Sequence, residues 1–173
     1  MKIYDTKSRE LKQVGTTNGV MNMYCCGPTV YRDAHVGNLR TFLLSDLIAR
    51  IALMEGMMVH AVQNITDVGH MSEDFVEHDK MLQQATLEKI DPFEIARKYE
   101  ERFHADLARL NIIPASQYPR ASESIELMQN LIQKLIDTNF AYVGQDGSVY
   151  FEAQKFSGYG AISGNKLDSL KPG

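Results

Sequence analysis

The chain has 173 residues, of which 44% are hydrophobic and 23% are charged, and its formal net charge is −4 at pH 7. This balance is typical of a globular domain rather than of a disordered chain or a strongly basic nucleic-acid-binding surface. No apolar stretch approaches the roughly 20 residues that cross a bilayer, and the N-terminus lacks the apolar core of a secretion signal. The two cysteines are neighbours, which argues against a disulfide framework. We therefore expect a cytoplasmic protein without a membrane partner.

The first predicted elements form a β-α-β unit. A short strand over "GVMNMYCC", residues 19–26, ends at Gly27 and Pro28, because proline cannot donate to a strand ladder. A helix follows from Gly37 to Glu55, and "MMVHAVQNI", residues 57–65, is the second strand. Two parallel strands with a right-handed crossover follow from this order. The predicted buried stripe of the helix is Leu39, Leu43, Leu44, Leu47, Ile48 and Ile51.

The later part of the chain predicts two more helices and a hairpin. After a polar loop that begins at Thr66, Asp91 and Pro92 mark the start of a helix that runs to about Leu110. Its predicted buried side chains are Ile95, Tyr99, Phe103, Leu107 and Leu110. Two prolines then break the pattern, and a helix over 122–137 precedes a hairpin centred on residues 145–147. We expect one domain over 1–117 and the start of a second, incomplete one over 118–173.

The stretch between the first strand and the first helix is a candidate ligand site. Open parallel sheets bind ligands beyond the carboxyl ends of their strands, and helix N-termini attract phosphates. Gly37 lets a ligand approach the backbone, and His35 and Asn38 add polar side chains. On the His-x-Gly-Asn pattern alone, a purely structural histidine remains the alternative to a nucleotide site.

The two cysteines are predicted to have different surroundings. Consecutive strand residues point to opposite faces, so only one of the two thiols faces the strand-end crevice. Cys25, inside the apolar run, is expected in the interior, whereas Cys26, at the strand end, could bind zinc as a thiolate. No CxxC or HxxxH pattern supplies further ligands, and the other histidines, His70 and His78 among them, are scattered.

Four segments, in order, resemble the cysteinyl-tRNA synthetase family of class I aminoacyl-tRNA synthetases. They are "YCCGPTVYRDAHVGNLRTF", "VQNITDVGHM", "LNIIPASQYPRASESI" and "GYGAISGNKLDSL". The resemblance implies an α/β fold, namely the N-terminal half of the Rossmann-like parallel sheet of a class I catalytic domain. It also implies that residues 118–173 begin the inserted α+β connective module of that domain.

The resemblance also assigns roles to residues. His35, Val36, Gly37 and Asn38 stand where class I synthetases carry their "HIGH" motif, which implies that His35 and Asn38 are catalytic and contact the ATP phosphates. The implied nucleotide and substrate pocket comprises Gly27, Pro28, Thr29, Tyr31, His35, Gly37, Asn38 and Thr66, with Thr66 touching the substrate cysteine. Cys26 matches a zinc ligand. Arg32 stands at a position that is often acidic in the family, and no role is assigned to it.

The implied function is that of a cysteine–tRNA ligase, which uses ATP with magnesium to form cysteinyl adenylate and passes cysteine to tRNA(Cys). Zinc prefers thiolate over hydroxyl, which would separate cysteine from serine. The family's other zinc ligands and its "KMSKS" loop are not found before Gly173, so we expect an N-terminal portion that is inactive alone. A related cysteine ligase that acts on an amino sugar and an inactive nucleotide-binding domain remain alternatives. The sequence predicts no particular oligomeric state.

Overall fold

The computed structural model describes residues 1–68, 84, 86–88 and 90–164. The strands are β1 (Lys2–Asp5), β2 (Glu10–Gln13), β3 (Val20–Cys25), β4 (Met58–Gln63), β5 (Ala141–Val143) and β6 (Val149–Phe151). The helices are α1 (Val36–Met54), α2 (Pro92–Arg109) and α3 (Ile125–Asp137), with 3-10 turns over Ser122–Ser124 and Ala153–Lys155. Among the described residues, no helix is both long enough and apolar enough to cross a membrane. His70, His78 and most of the predicted polar loop lie outside the described residues.

The chain divides into two compact units. One comprises Met1 and Gly15–Ser124, and the other comprises Lys2–Val14 and the chain from Ile125 onward. In the first unit β3 and β4 are parallel, with Val20 opposite Met58 and Cys25 opposite Gln63, and α1 connects them. The predicted β-α-β unit is therefore confirmed.

A third extended segment, residues 116–121, runs parallel to β4 on the side away from β3. The Gln63 N–H donates to the Gln117 carbonyl at 3.0 Å, and the Ile65 N–H donates to the Pro119 carbonyl at 2.9 Å. In this register the backbone nitrogen of residue 119 faces the Gln63 carbonyl, but proline has no N–H to donate, so the ladder is interrupted there. The sequence predicted only an irregular break here, because the prolines hide the extended conformation.

Helix α1 packs through a different face from the predicted one. Its buried residues are Phe42, Asp46, Ala49 and Ala52, whereas Leu44 is 58% exposed and Leu47 is 50% exposed. The prediction was wrong because α1 is apolar on nearly all sides, and periodicity then selects no single face. The face that packs inward carries the small Ala49 and Ala52 side chains. Of the predicted stripe, Leu39 is half-buried and packs against the core.

Helix α2 completes the core of the first unit. The Asp91 carboxylate caps it by accepting the Phe93 N–H at 2.8 Å. The predicted stripe is buried over Ile95, Tyr99, Phe103 and Leu107, but Leu110 is 42% exposed. Phe103 meets Phe42 of α1 edge to face, with ring centroids 5.2 Å apart.

Buried polar side chains attach the 116–121 segment to its neighbours. The Arg120 guanidinium donates to both carboxylate oxygens of Glu100, on α2, at 2.9 and 3.0 Å. Asp67 is also buried and accepts the Ser122 N–H at 2.9 Å. The Arg120 guanidinium balances the Glu100 charge, and hydrogen bonds from Ser122 stabilise the Asp67 carboxylate.

The second unit consists of α3 and two hairpins. The predicted hairpin is confirmed as β5 and β6, which are antiparallel, and Gly147 adopts a φ of 82° in the connecting turn. A positive φ of this size is easily reached by glycine. The other hairpin, β1 with β2, pairs Lys2 with Gln13 and was not predicted from the sequence.

Candidate nucleotide-binding site

The turn after β3 lines a crevice of about 200 Å³ together with side chains of α1 and α2. It lies beyond the carboxyl end of β3, where open parallel sheets bind ligands. Residues of the predicted site that line it are Gly27, Pro28, Thr29, Tyr31 and Asn38. Cys26, His35, Gly37 and Thr66, also predicted, do not line it.

Gly27 is required by a close approach between two backbone segments. A Cβ atom on Gly27 would lie 1.6 Å from the Asn64 carbonyl oxygen, so no residue with a side chain fits at this position unless the backbone moves. The Thr66 N–H donates to the Pro28 carbonyl at 3.0 Å, and the Val30 N–H donates to the Thr66 carbonyl at 3.1 Å. The turn after β3 is thus held against the segment that follows β4.

The Asn64 side chain links the same two segments, and sequence reasoning gave it no role. Its Oδ1 accepts the Gly27 N–H at 2.9 Å and the Tyr24 hydroxyl at 2.9 Å. Its Nδ2 donates to Thr66 Oγ1 at 3.1 Å. The only signal for this role in the sequence was the place of the amide, near the end of the second predicted strand and just before the predicted site residue Thr66.

The His35 side chain caps helix α1. Its Nδ1 accepts the Gly37 N–H at 3.0 Å and the Asn38 N–H at 3.3 Å, while Asn38 Oδ1 accepts the His35 N–H at 3.3 Å. These bonds form a reciprocal capping box. Because Nδ1 accepts two N–H groups, the neutral ring carries its proton on Nε2.

The Gly37 position serves the same cap. A Cβ atom there would lie 2.9 Å from His35 Cε1 and 3.1 Å from its Nδ1, so glycine makes room for the folded-back ring. The His-x-Gly-Asn pattern therefore has a local structural explanation. His35 and Asn38 remain exposed, so this explanation leaves room for a ligand contact as well.

Tyr99 forms part of the crevice wall through α2. Its hydroxyl donates to Glu88 at 2.9 Å. Burial, followed by this hydrogen bond, raises the pKa of Tyr99. Hydrogen bonds from Lys98, Gln84 and Tyr99 lower the pKa of Glu88 to about 2. At neutral pH the Tyr99 phenol of the wall is therefore neutral and is hydrogen-bonded to an ionised Glu88 carboxylate.

Comparison with known proteins adds the decisive observation. The family model described as "tRNA synthetases class I (C) catalytic domain" matches residues 12–173. The chain belongs to this family.

Individual relatives of this synthetase family agree with the match. A cysteine–tRNA ligase from Chlamydia felis is 41% identical over 98% of this chain, and one from Deinococcus radiodurans is 42% identical over 99% of it. A cysteine–tRNA ligase from Thermus thermophilus is 39% identical over 99% of the chain. The matched regions cover 34%, 34% and 36% of those three relatives, so the chain spans about a third of their length.

The two cysteines of this synthetase-family chain differ in exposure. Cys25 is half-buried and lines a second cavity of about 190 Å³ under α1, next to apolar side chains such as Phe42 and Val59. Cys26 is exposed. Within the described part of the chain, no group of three or more His, Cys, Asp or Glu side chains is placed to hold a metal ion. The described residues therefore do not fit a complete zinc site, and no chemical step is assigned to zinc here.

Proposed function

We propose that this chain is the N-terminal part of a cysteine–tRNA ligase that activates cysteine with ATP and transfers it to tRNA(Cys). The observation that carries the proposal is the identity of about 40% to proteins of that name over nearly the whole chain. The proposal includes a cytoplasmic location, a Rossmann-like catalytic fold over 1–117 and an inserted connective module that begins at 118.

In the proposed reaction, a carboxylate oxygen of cysteine attacks the α-phosphorus of magnesium-bound ATP, and pyrophosphate leaves. The terminal ribose hydroxyl of the tRNA then attacks the cysteinyl carbonyl, and AMP leaves. Such phosphoryl chemistry depends chiefly on positioning and on donors aimed at the developing charge. The turn after β3 suits this positioning, because its backbone is hydrogen-bonded to the segment that follows β4.

The crevice is the proposed position of the nucleotide. Gly27, Pro28, Thr29 and Tyr31 line the crevice and would form the wall of the nucleotide pocket. Gly37 does not line the crevice, and in the proposal its backbone would allow close approach of the ribose beside the folded-back His35 ring. His35 and Asn38 would meet the phosphates through the atoms that the cap leaves exposed, which for the imidazole is its Nε2 edge. Thr66, held by Asn64, would contact the substrate cysteine.

Cys26 is the proposed zinc ligand of the complete protein. Its exposure at the carboxyl end of β3 supports this role, since a ligand thiolate must be reachable by the metal. The other ligands would come from outside the described residues.

The test is cysteine-dependent ATP–pyrophosphate exchange by the longest natural polypeptide that contains this chain, followed by charging of tRNA(Cys). We expect Cys26→Ser to abolish the exchange. Cys25→Val, the matched control, should largely retain it because Cys25 lines the separate apolar cavity. Transfer of cysteine to glucosaminyl-inositol instead of tRNA, or equal loss in both variants, would contradict the proposal.

A further inference from the structure

Arg32 lines the crevice, and its guanidinium lies over an aromatic ring. The Arg32 guanidinium carbon is 5.2 Å from the centroid of the Tyr31 ring, and both residues line the crevice. Tyr31 is half-buried and packs against the hydrophobic core, so the ring offers a firm platform. Stacking on an aromatic face restricts a guanidinium without consuming its N–H donors.

The charge of Arg32 is not balanced by the neighbouring acid. The Asp33 carboxylate receives two contacts from Arg102, with Nε and Nη2 each 2.7 Å from a different oxygen. Within the described part of the chain, no carboxylate forms an ion pair with Arg32. Among the described residues, the crevice wall over 27–34 therefore keeps one positive charge without a carboxylate partner.

The N-terminus of α1 has few free backbone N–H groups to offer an anion. His35 Nδ1 already accepts the N–H groups of Gly37 and Asn38, two of the donors that a helix N-terminus would otherwise offer to an anion. A phosphate in the crevice thus meets fewer backbone donors than the helix position alone suggests. Arg32 supplies up to two parallel N–H donors and a full charge at the same crevice.

We propose that the Arg32 guanidinium binds phosphate oxygens of a nucleotide held in this crevice, which extends the proposed function and rests on its nucleotide site. Tyr31 orients the guanidinium, and Arg102 keeps Asp33 from competing for it. A guanidinium suits this task better than an ammonium, because its planar fork matches two phosphate oxygens.

The test is calorimetric titration of the longest natural polypeptide that contains this chain with ATP, pyrophosphate and adenosine at low salt. We expect Arg32→Ala to weaken binding of ATP and pyrophosphate about ten-fold, as for one lost charged contact, and to leave adenosine unaffected. Arg32→Lys should recover part of the loss. Arg97→Ala is the matched control, because Arg97 is an exposed arginine of α2 that does not line this crevice. Unchanged melting curves for the variants will show that the fold is intact.

The outcomes separate this inference from the proposed function. If the wild-type chain binds ATP and Arg32→Ala binds it equally well, Arg32 has no phosphate role although the nucleotide site stands. If binding of pyrophosphate depends on Arg32 but ATP binds no tighter than pyrophosphate, the phosphate contact stands and the nucleotide site fails. If no phosphate compound binds, or if Arg97→Ala weakens binding as much as Arg32→Ala does, the inference is overturned.

Discussion

At the scale of single residues, Gly27 provides the sharpest steric constraint. Replacing Gly27 with alanine places a methyl group on the Asn64 carbonyl, so the turn after β3 must move. We expect Gly27→Ala to lower the free energy of unfolding by about 2–4 kcal/mol, as overpacking against backbone does. Urea unfolding followed by circular dichroism measures this.

Gly15→Ala is the control for that substitution, because nothing lies within 4 Å of a Cβ atom on Gly15. Its stability should stay unchanged or rise by up to about 1 kcal/mol. Similar losses in the two variants would mean that the close approach at Gly27 does not exist in solution.

His35 has a capping role that can be separated from a chemical one. His35→Ala removes the acceptor for two N–H groups of α1 and should cost about 1 kcal/mol. His35→Asn keeps an acceptor at the N-cap, so we expect near wild-type stability. Nucleotide affinity should nevertheless fall in both variants if the imidazole contacts ATP. Full nucleotide affinity in His35→Asn would mean that His35 serves only as the N-cap of α1.

The sequence could predict that this stretch matters but not how its parts interact. His35, Gly37 and Asn38 were expected near one ligand, and the structure shows that they also bond to each other. That mutual bonding depends on the imidazole folding back over the helix, a conformation that residue types do not specify. The orienting role of Asn64 was missed because two of its partners, Gly27 and Tyr24, are 37 and 40 positions away in the sequence.

At the scale of secondary-structure elements, the two apolar faces of α1 should contribute differently to the free energy of unfolding. Phe42 is 6% exposed and contacts Phe103, whereas Leu44 is 58% exposed. We expect Phe42→Ala to lower the free energy of unfolding by about 3 kcal/mol and Leu44→Ala to lower it by less than about 1 kcal/mol. Thermal and urea unfolding of both variants will check this. A larger loss for Leu44→Ala would restore the face predicted from the sequence.

Elements whose apolar pattern points to one face were predictable, and the others were not. Helix α2 alternates charged residues with a clear stripe, so its bounds and most of its buried residues were expected. Helix α1 has no such contrast, and the 116–121 segment gains its extended shape from pairing with β4 rather than from its own composition. Tertiary contacts, not local preference, decide such cases.

At the scale of the whole molecule, the chain spans about a third of the length of its relatives. We therefore expect the 173-residue chain alone to form no cysteinyl adenylate, because the proposed zinc site would take further ligands from outside the described residues and the family's "KMSKS" loop is not found in this sequence. Pyrophosphate exchange by the purified chain, beside the longer natural protein, measures this. Exchange at a comparable rate by the chain alone would show that the described crevice is catalytically complete.

The donors and acceptors around the Asn64 side chain determine the orientation of the Thr66 hydroxyl, which lies beyond the end of β4. A backbone N–H can only donate, so Gly27 fixes which side of the amide is oxygen and turns its NH₂ group toward Thr66. The Thr66 hydroxyl oxygen thus accepts a hydrogen bond from Asn64, and the hydroxyl directs its own proton away from the amide. If the substrate contacts Thr66 as proposed, this hydroxyl proton is available to an oxygen acceptor on it. Asn64→Asp would remove that donor, because the carboxylate would itself accept the Thr66 hydroxyl proton.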